Sequence, residues 1–273
     1  MARLPADIHL HSKYCGHAVG ELEDYLQRGI ELGLEAVGFS FHLPVPIPTD
    51  YKVNITREEL DLLVRQVEEL RESYRDDIPV LLGGEADYLP GSEREVEELV
   101  AAYPFDHVIG SVHFIGEWAF DHPAEVARYD EWDLRELYAT YFRLLCDAMG
   151  TGLFDIVGHV DLVKKFGHRP AGEPSQLIAG VCETARSCDL AVEINTAGLD
   201  KPVGEPYASA PFVRGCFQAG VPICFGSDAH APGEVGRYFD QAVALARSAG
   251  YATYARFEQR RRHAAPIPLP PAP

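Results

Sequence analysis

Basic residues are scarce in this chain of 273 amino acids: 24 Lys and Arg stand against 42 Asp and Glu, for a formal charge of −18. Nucleic-acid binding rests largely on Lys and Arg neutralising phosphates, so this balance argues against a nucleic-acid partner. The run from Arg256 to Arg262 is locally basic and reads as a solvated helix end. Long hydrophobic runs are missing as well. No stretch of about 18 or more apolar residues offers a membrane span, and the opening segment from Met1 to Asp7 lacks the apolar core of a secretory signal. The expectation is a cytoplasmic enzyme with no membrane partner. CxxC pairs are absent too. Cys15, Cys146, Cys182, Cys188, Cys216 and Cys224 are scattered, which reads as reduced, mostly buried thiols rather than a disulfide framework. Neither a Gly-x-Ser-x-Gly elbow nor a phosphate-binding P-loop occurs, so no serine nucleophile or nucleotide-cradling loop competes for the chemistry.

What is present is a regular alternation. Strand-like runs occur at Asp7–His11, Ala36–Phe41, Val80–Ala86, His107–Val112, Asp155–Gly158, Leu190–Asn195 and Pro222–Gly226. Between them lie amphipathic helical stretches. After Thr56, the residues Leu60, Leu63, Val64, Val67 and Leu70 fall on one face, and Thr56 with Glu59 forms a capping box. Asp133 precedes Leu134, Leu137, Tyr138, Tyr141 and Leu145 in the same way, Ser175 opens another such stretch, and Gly33 sits where a helix would end. Repeated β-then-α units predict parallel strands covered by helices. An open doubly wound sheet satisfies that pattern, but seven strands fit a distorted (β/α)7 TIM-like barrel best. No repeat or linker divides residues 1–273, which read as one domain with a poorly ordered, proline-rich tail over Ala264–Pro273.

Histidine placement is the strongest signal. His9 and His11 are two apart on the first strand and therefore point to one face. His17 follows in the next loop. His42, Glu85, His113 and His159 close the second to fifth strands, and Asp228 and His230 follow the seventh. Barrel enzymes assemble their active sites at the C-terminal ends of the strands. Nine imidazoles and carboxylates in phase with strand ends would, without a ligand, concentrate desolvation and like-charge costs in one place. They read as a metal site for Zn, Fe or Mn. Nine donors exceed the need of one ion, so two or three are expected, with Glu85 as a bridging carboxylate. His107, His122, His168 and His263 lack strand-end placement and are left outside the site.

At these residues the chain resembles the polymerase-and-histidinol-phosphatase (PHP) superfamily, and more closely its stand-alone phosphatases. The matching segments are His9-Leu10-His11, Cys15-Gly16-His17, Phe41-His42-Leu43-Pro44, Gly84-Glu85-Ala86-Asp87-Tyr88, Ser111-Val112-His113-Phe114, Gly158-His159 with Val163-Lys164-Lys165-Phe166, Asn195-Thr196-Ala197-Gly198-Leu199, and Phe225-Gly226-Ser227-Asp228-Ala229-His230. The resemblance implies a trinuclear centre. On that pattern His9, His11, Glu85 and Asp228 hold one ion, Glu85, His113 and His159 a second, and His17, His42 and His230 a third. It further implies hydrolysis of L-histidinol phosphate, a small phosphate monoester, to L-histidinol and phosphate in histidine biosynthesis. One position departs from the pattern: Phe41 stands where members carry an acidic residue before the second-strand histidine.

The expected mechanism is attack on phosphorus by a hydroxide held between ions that also neutralise the phosphoryl oxygens. Glu85, Asp228 and His230 are the residues expected closest to that chemistry. Lys165 or Lys164 is the first candidate cation for the phosphate, with Arg237 after them, and Asn195 at the sixth strand end is a candidate substrate contact. Two other readings compete: a PHP-type phosphoesterase acting on a nucleotide or another small ester, and a non-catalytic metal-binding module.

Overall fold

A computed structural model describes residues 4–268. Seven parallel strands form one sheet: β1 (Asp7–Leu10), β2 (Val37–His42), β3 (Val80–Asp87), β4 (His107–Ser111), β5 (Ile156–Val157), β6 (Ala191–Asn195) and β7 (Ile223–Gly226). They are ordered as in the chain, each paired with the next. The sheet curls until its first and last strands meet just beyond their ends. There His11 N–H donates to Ala229 O at 3.0 Å and Ala229 N–H to His9 O at 3.3 Å. The barrel expected from the β-then-α alternation is thus the one observed. Its strands are buried on both faces, which is why they read as near-continuous apolar runs.

Among the described residues, seven helices surround the strands: α1 (Leu22–Leu32), α2 (Arg57–Ser73), α3 (Glu93–Ala102), α4 (Leu134–Gly150), α5 (Ser175–Ser187), α6 (Ala210–Ala219) and α7 (Phe239–Ala249). Their ends follow local chemistry. At the start of α2, Thr56 Oγ1 accepts from Glu59 N–H at 3.1 Å while Glu59 Oε2 accepts from Thr56 N–H at 2.7 Å. Asp133 Oδ1 accepts from Arg135 N–H and Glu136 N–H at the start of α4. Gly33 ends α1 in the left-handed region at φ 69°. The barrel floor is packed rather than hollow. His107 Nε2–H donates to Ile8 O at 2.9 Å across it, and a Cβ on Gly83 would run into that ring.

Two expectations about the C-terminal segment need correction. The basic run is not a helix end. It belongs to an antiparallel hairpin of Thr253–Glu258 with Arg261–Pro266, whose turn residues Gln259 and Arg260 donate backbone N–H groups to Asp106. Arg260 also pairs with Asp155 at 2.8 Å, so part of the positive charge serves tertiary anchoring. The tail, expected to be disordered from Ala264, continues this strand through Pro266, and Ile267 is buried. Pro266 lies at the strand's end, where the missing N–H costs least. Residues 269–273 lie outside the described ones.

Candidate metal centre

The strands and the loops that leave their C-terminal ends carry the nine predicted side chains to one end of the barrel. His9, His11, His42, Glu85 and His159 are buried, and His113, Asp228 and His230 are partly open to a cleft. Glu85 lies between the others. Its Oε2 is 3.4 Å from His9 Nε2, 3.7 Å from His11 Nε2 and 3.0 Å from His42 Nδ1. Its Oε1 is 3.0 Å from His159 Nε2 and 3.7 Å from His113 Nε2. On the far side, Asp228 Oδ1 is 3.0 Å from His11 Nε2 and 4.0 Å from His9 Nε2. Asp228 reaches this position from the left-handed region at φ 52°, which Asp tolerates better than most residues.

Several observations fit these residues to metal ions. The donor atoms of His9, His11 and Asp228 lie within 4.8 Å of one another, as do those of Glu85, His113 and His159. Among the atoms that face one another, buried His9 Nε2 and Glu85 Oε2 make no hydrogen bond, a costly arrangement for polar groups out of water. The other ring nitrogens are held where a ligating imidazole needs them. His9 Nδ1–H donates to Glu193 Oε1 at 2.7 Å, His113 Nδ1–H to Asp87 Oδ1 at 2.6 Å, and His17 and His230 Nδ1–H to the carbonyls of Cys15 and Asp228 at 3.0 Å. Burial alone would raise the pKa of Glu85, but His42 and His9 outweigh it and hold the carboxyl well below its usual range. Burial, with His230 and His42 nearby, keeps His11 unprotonated. Those two groups are in the states that a metal requires. Against burial, by contrast, Glu193 and Glu85 raise the pKa of His9, and Asp87 raises that of His113 to about 10, so a bound cation would displace protons there. Around His230 the grouping differs from the pattern the resemblance implies: His230 clusters with His11 and His42, and separately with Cys15 and His17.

The cleft over these residues encloses about 560 Å³, more than a phosphate group alone would need. Lys165 lines it and pairs with Asp121 at 3.0 Å. Arg237 lines it too, and its guanidinium donates to the carbonyls of Ser227 and Asp228, bracing the loop that carries Asp228 and His230. Lys164 is a different case. It is buried behind the wall, 2.8 Å from Asp161 and 2.7 Å from Glu205, and is taken up by that ion cluster rather than offered to a substrate. Asn195 is also withdrawn. Fully buried, it donates to Glu193 Oε2 and Asp228 Oδ2 and accepts from Ala197 N–H, so its polar atoms are spent within the wall.

The PHP domain profile matches residues 7–197. The chain belongs to the PHP domain family. The matched segment spans six of the seven barrel strands, and Asp228 and His230 follow it. A relative from Deinococcus radiodurans, named a probable histidinol-phosphatase, is 40% identical over 245 residues, which is 89% of this chain and 93% of that protein. The histidinol-phosphatase of Bacillus subtilis is 28% identical over 261 residues, covering 86% and 96%. In fold, the chain is similar to the crystal structure of histidinol phosphate phosphatase from Lactococcus lactis, complexed with zinc, L-histidinol and phosphate. The TM-score is 0.80 at 22% identity, over 94% of this chain and 98% of that one.

Within this PHP barrel, Phe41 has a structural role. Its buried ring stacks on Phe39 at 6.0 Å, and the nearest acidic partner of His42 is Glu85 itself. Four further cleft or support residues lie outside the nine predicted ones. Glu193 and Asp87 lie two residues from Asn195 and Glu85 on their strands, so pleating puts them on the same faces. A carboxylate inside β6 is the signal that finds Glu193, and Asp87 is itself the last residue of β3. Lys201 and His122 line the cleft from loops, and no spacing rule reaches there.

Proposed function

We propose that this PHP protein is a metal-dependent phosphatase that hydrolyses L-histidinol phosphate to L-histidinol and phosphate, as a cytoplasmic enzyme of histidine biosynthesis. The observation that carries the reading is that seven of the nine predicted donors line one cleft large enough for a small monoester, with His9 and His11 buried against Glu85 and Asp228 beneath it. The substrate rests on the names of relatives that match over most of the chain. Three ions fit the donor count: one at His9, His11, Glu85 and Asp228, one at Glu85, His113 and His159, and one around His230, which clusters with His42 on one side and His17 on the other. Imidazole and carboxylate suit Zn, Fe or Mn. Such ions, when bound, supply an activated water and neutralise charge on the phosphoryl oxygens.

The protein's own residues do the rest. Glu85, ionised and central, spans two of the donor groups. Glu193 and Asp87 fix the tautomers of His9 and His113. Lys165 offers a cation to the phosphate, with Asp121 holding its ammonium at the cleft wall. Arg237 keeps the Asp228–His230 loop in place, and Asp228 and His230 complete the site beside Glu85. Phosphate release from L-histidinol phosphate, measured against a panel of sugar phosphates and nucleotides, tests the proposal. Strong preference for L-histidinol phosphate, abolished by chelator or by Glu85→Ala, is expected. Equal rates across the panel would defeat the substrate assignment, and bound metal without turnover of any phosphoester would defeat the enzyme reading.

A further inference from the structure

Phosphate-binding groups do not account for the whole cleft. Tyr51, on the loop between β2 and α2, and His122, on the segment between β4 and α4, both line it. Their rings lie face to face, with centroids 3.9 Å apart and planes within 9°. Each ring is anchored separately. Tyr51 Oη–H donates to Glu125 Oε1 at 3.1 Å, and His122 Nδ1 accepts from Ala124 N–H at 3.2 Å, which leaves the His122 proton on Nε2. Neither residue belongs to the donor cluster or to the cations beside it. Two loops therefore meet at a fixed pair of flat rings inside a pocket built for a phosphate ester.

We propose that the Tyr51–His122 pair is the recognition surface for the leaving group, and that it selects an ester whose alcohol carries a flat heteroaromatic ring. The inference rests on the substrate reading above and adds the residues that would enforce it. A paired ring uses one face, so the ring nearer the substrate keeps its other face for a third ring at stacking distance. Offset-stacked or edge-to-face ring pairs contribute beyond the area they bury. The Nε2–H of His122 adds a donor that an unprotonated imidazole nitrogen accepts.

The test compares two esters, L-histidinol phosphate and L-alaninol phosphate, which has the same amino alcohol without the ring. For wild type, Tyr51→Ala, Tyr51→Phe and His122→Ala, kcat/KM is measured on both, with inhibition by L-histidinol and by inorganic phosphate. Tyr51→Ala should lower the ratio of kcat/KM, L-histidinol phosphate over L-alaninol phosphate, by about tenfold, mostly through KM, as expected for one lost ring contact. Its inhibition constant for L-histidinol should rise relative to that for phosphate by a similar factor. Tyr51→Phe keeps the ring and should lose much less. His122→Ala, on the other loop, should repeat the alanine result even if Tyr51→Ala fails to fold. A ratio unchanged from wild type in both alanine variants overturns the proposal while leaving the phosphatase reading intact. A wild type that cleaves L-alaninol phosphate and not L-histidinol phosphate overturns the substrate reading itself.

Discussion

Replacing Glu193 with Gln should uncouple the metal centre without touching a ligand. Glu193 is fully buried on β6. Its Oε1 accepts from His9 Nδ1–H at 2.7 Å, and its Oε2 accepts from His159 N–H at 2.9 Å and from Asn195 Nδ2–H at 3.2 Å. All three partners are donors, and a carboxylate is acceptor-only. An amide has one oxygen and one NH2. With the NH2 toward His9, the His9 proton must move to Nε2, the atom facing Glu85 and Asp228, and that nitrogen is lost to a metal. With the NH2 reversed, it meets two other donors, and His159 N–H is left unsatisfied in the wall. An orphaned buried donor costs about 1–3 kcal/mol, and loss of an outer partner of a ligating histidine costs roughly 10–100-fold in metal affinity or activity. We expect zinc affinity, measured by competition with a chromophoric chelator, to fall within that range. The melting temperature should drop more for the metal-loaded protein than for the metal-free one. Gly226→Ala should reproduce part of the effect, because a Cβ there would run into Glu193 Oε1. Wild-type zinc affinity together with wild-type kcat in Glu193→Gln would refute the reasoning.

The adjacent lysines should separate cleanly. Lys164→Met leaves Asp161 buried without its partner and should cost about 3–5 kcal/mol in urea unfolding. Lys165→Met, in the cleft and partly exposed, should cost less stability, at most about 2 kcal/mol for its pair with Asp121, but lower kcat/KM by on the order of 10²-fold, as for one lost charge-stabilising donor. The reverse pattern would return the phosphate role to Lys164. Asp121 supplies a pH signature. Burial opposes its charge, but the Lys165 ammonium pulls its pKa down from 3.8 to about 2. A depressed carboxyl contributes stability above its unfolded pKa, and that contribution, at most about 2 kcal/mol, is lost as pH falls through about 2. The metal-free protein should lose stability between pH 4 and pH 2 more steeply than Asp121→Asn does, and equal slopes would refute the pairing. Chelation should lower the melting temperature, by about 4 kcal/mol of stability for metal present at a thousand times its dissociation constant. Added zinc should restore it, and a melting temperature indifferent to metal would count against a bound centre.

Strand positions, helix ends and the nine side chains that cluster were legible in the linear chain, because each depends on short-range regularity. Two-residue pleating aims His9 and His11 together, a capping box marks Thr56, and a polar residue ending an apolar run marks His42 and Glu85. The basic C-terminal run misled for the opposite reason. Its partners, Asp106 and Asp155, lie far upstream, and only a non-local hairpin brings Arg260 to them. Lys164 and Lys165 are indistinguishable as neighbours in sequence, yet they point to opposite sides of the barrel wall, one into a buried ion cluster and one into the cleft. Asn195 sits at a strand end as expected, but it is consumed by Glu193, two residues back on the same strand, and by Asp228, which only the closing of the barrel brings within 3.3 Å. The sequence by itself determined which side chains could hold metal, since donor chemistry and strand phase are local properties. Only the tertiary structure decided which cation faces the substrate, which carboxylates fix the histidines, and which loops meet at Tyr51 and His122, because those depend on how distant segments close around one another.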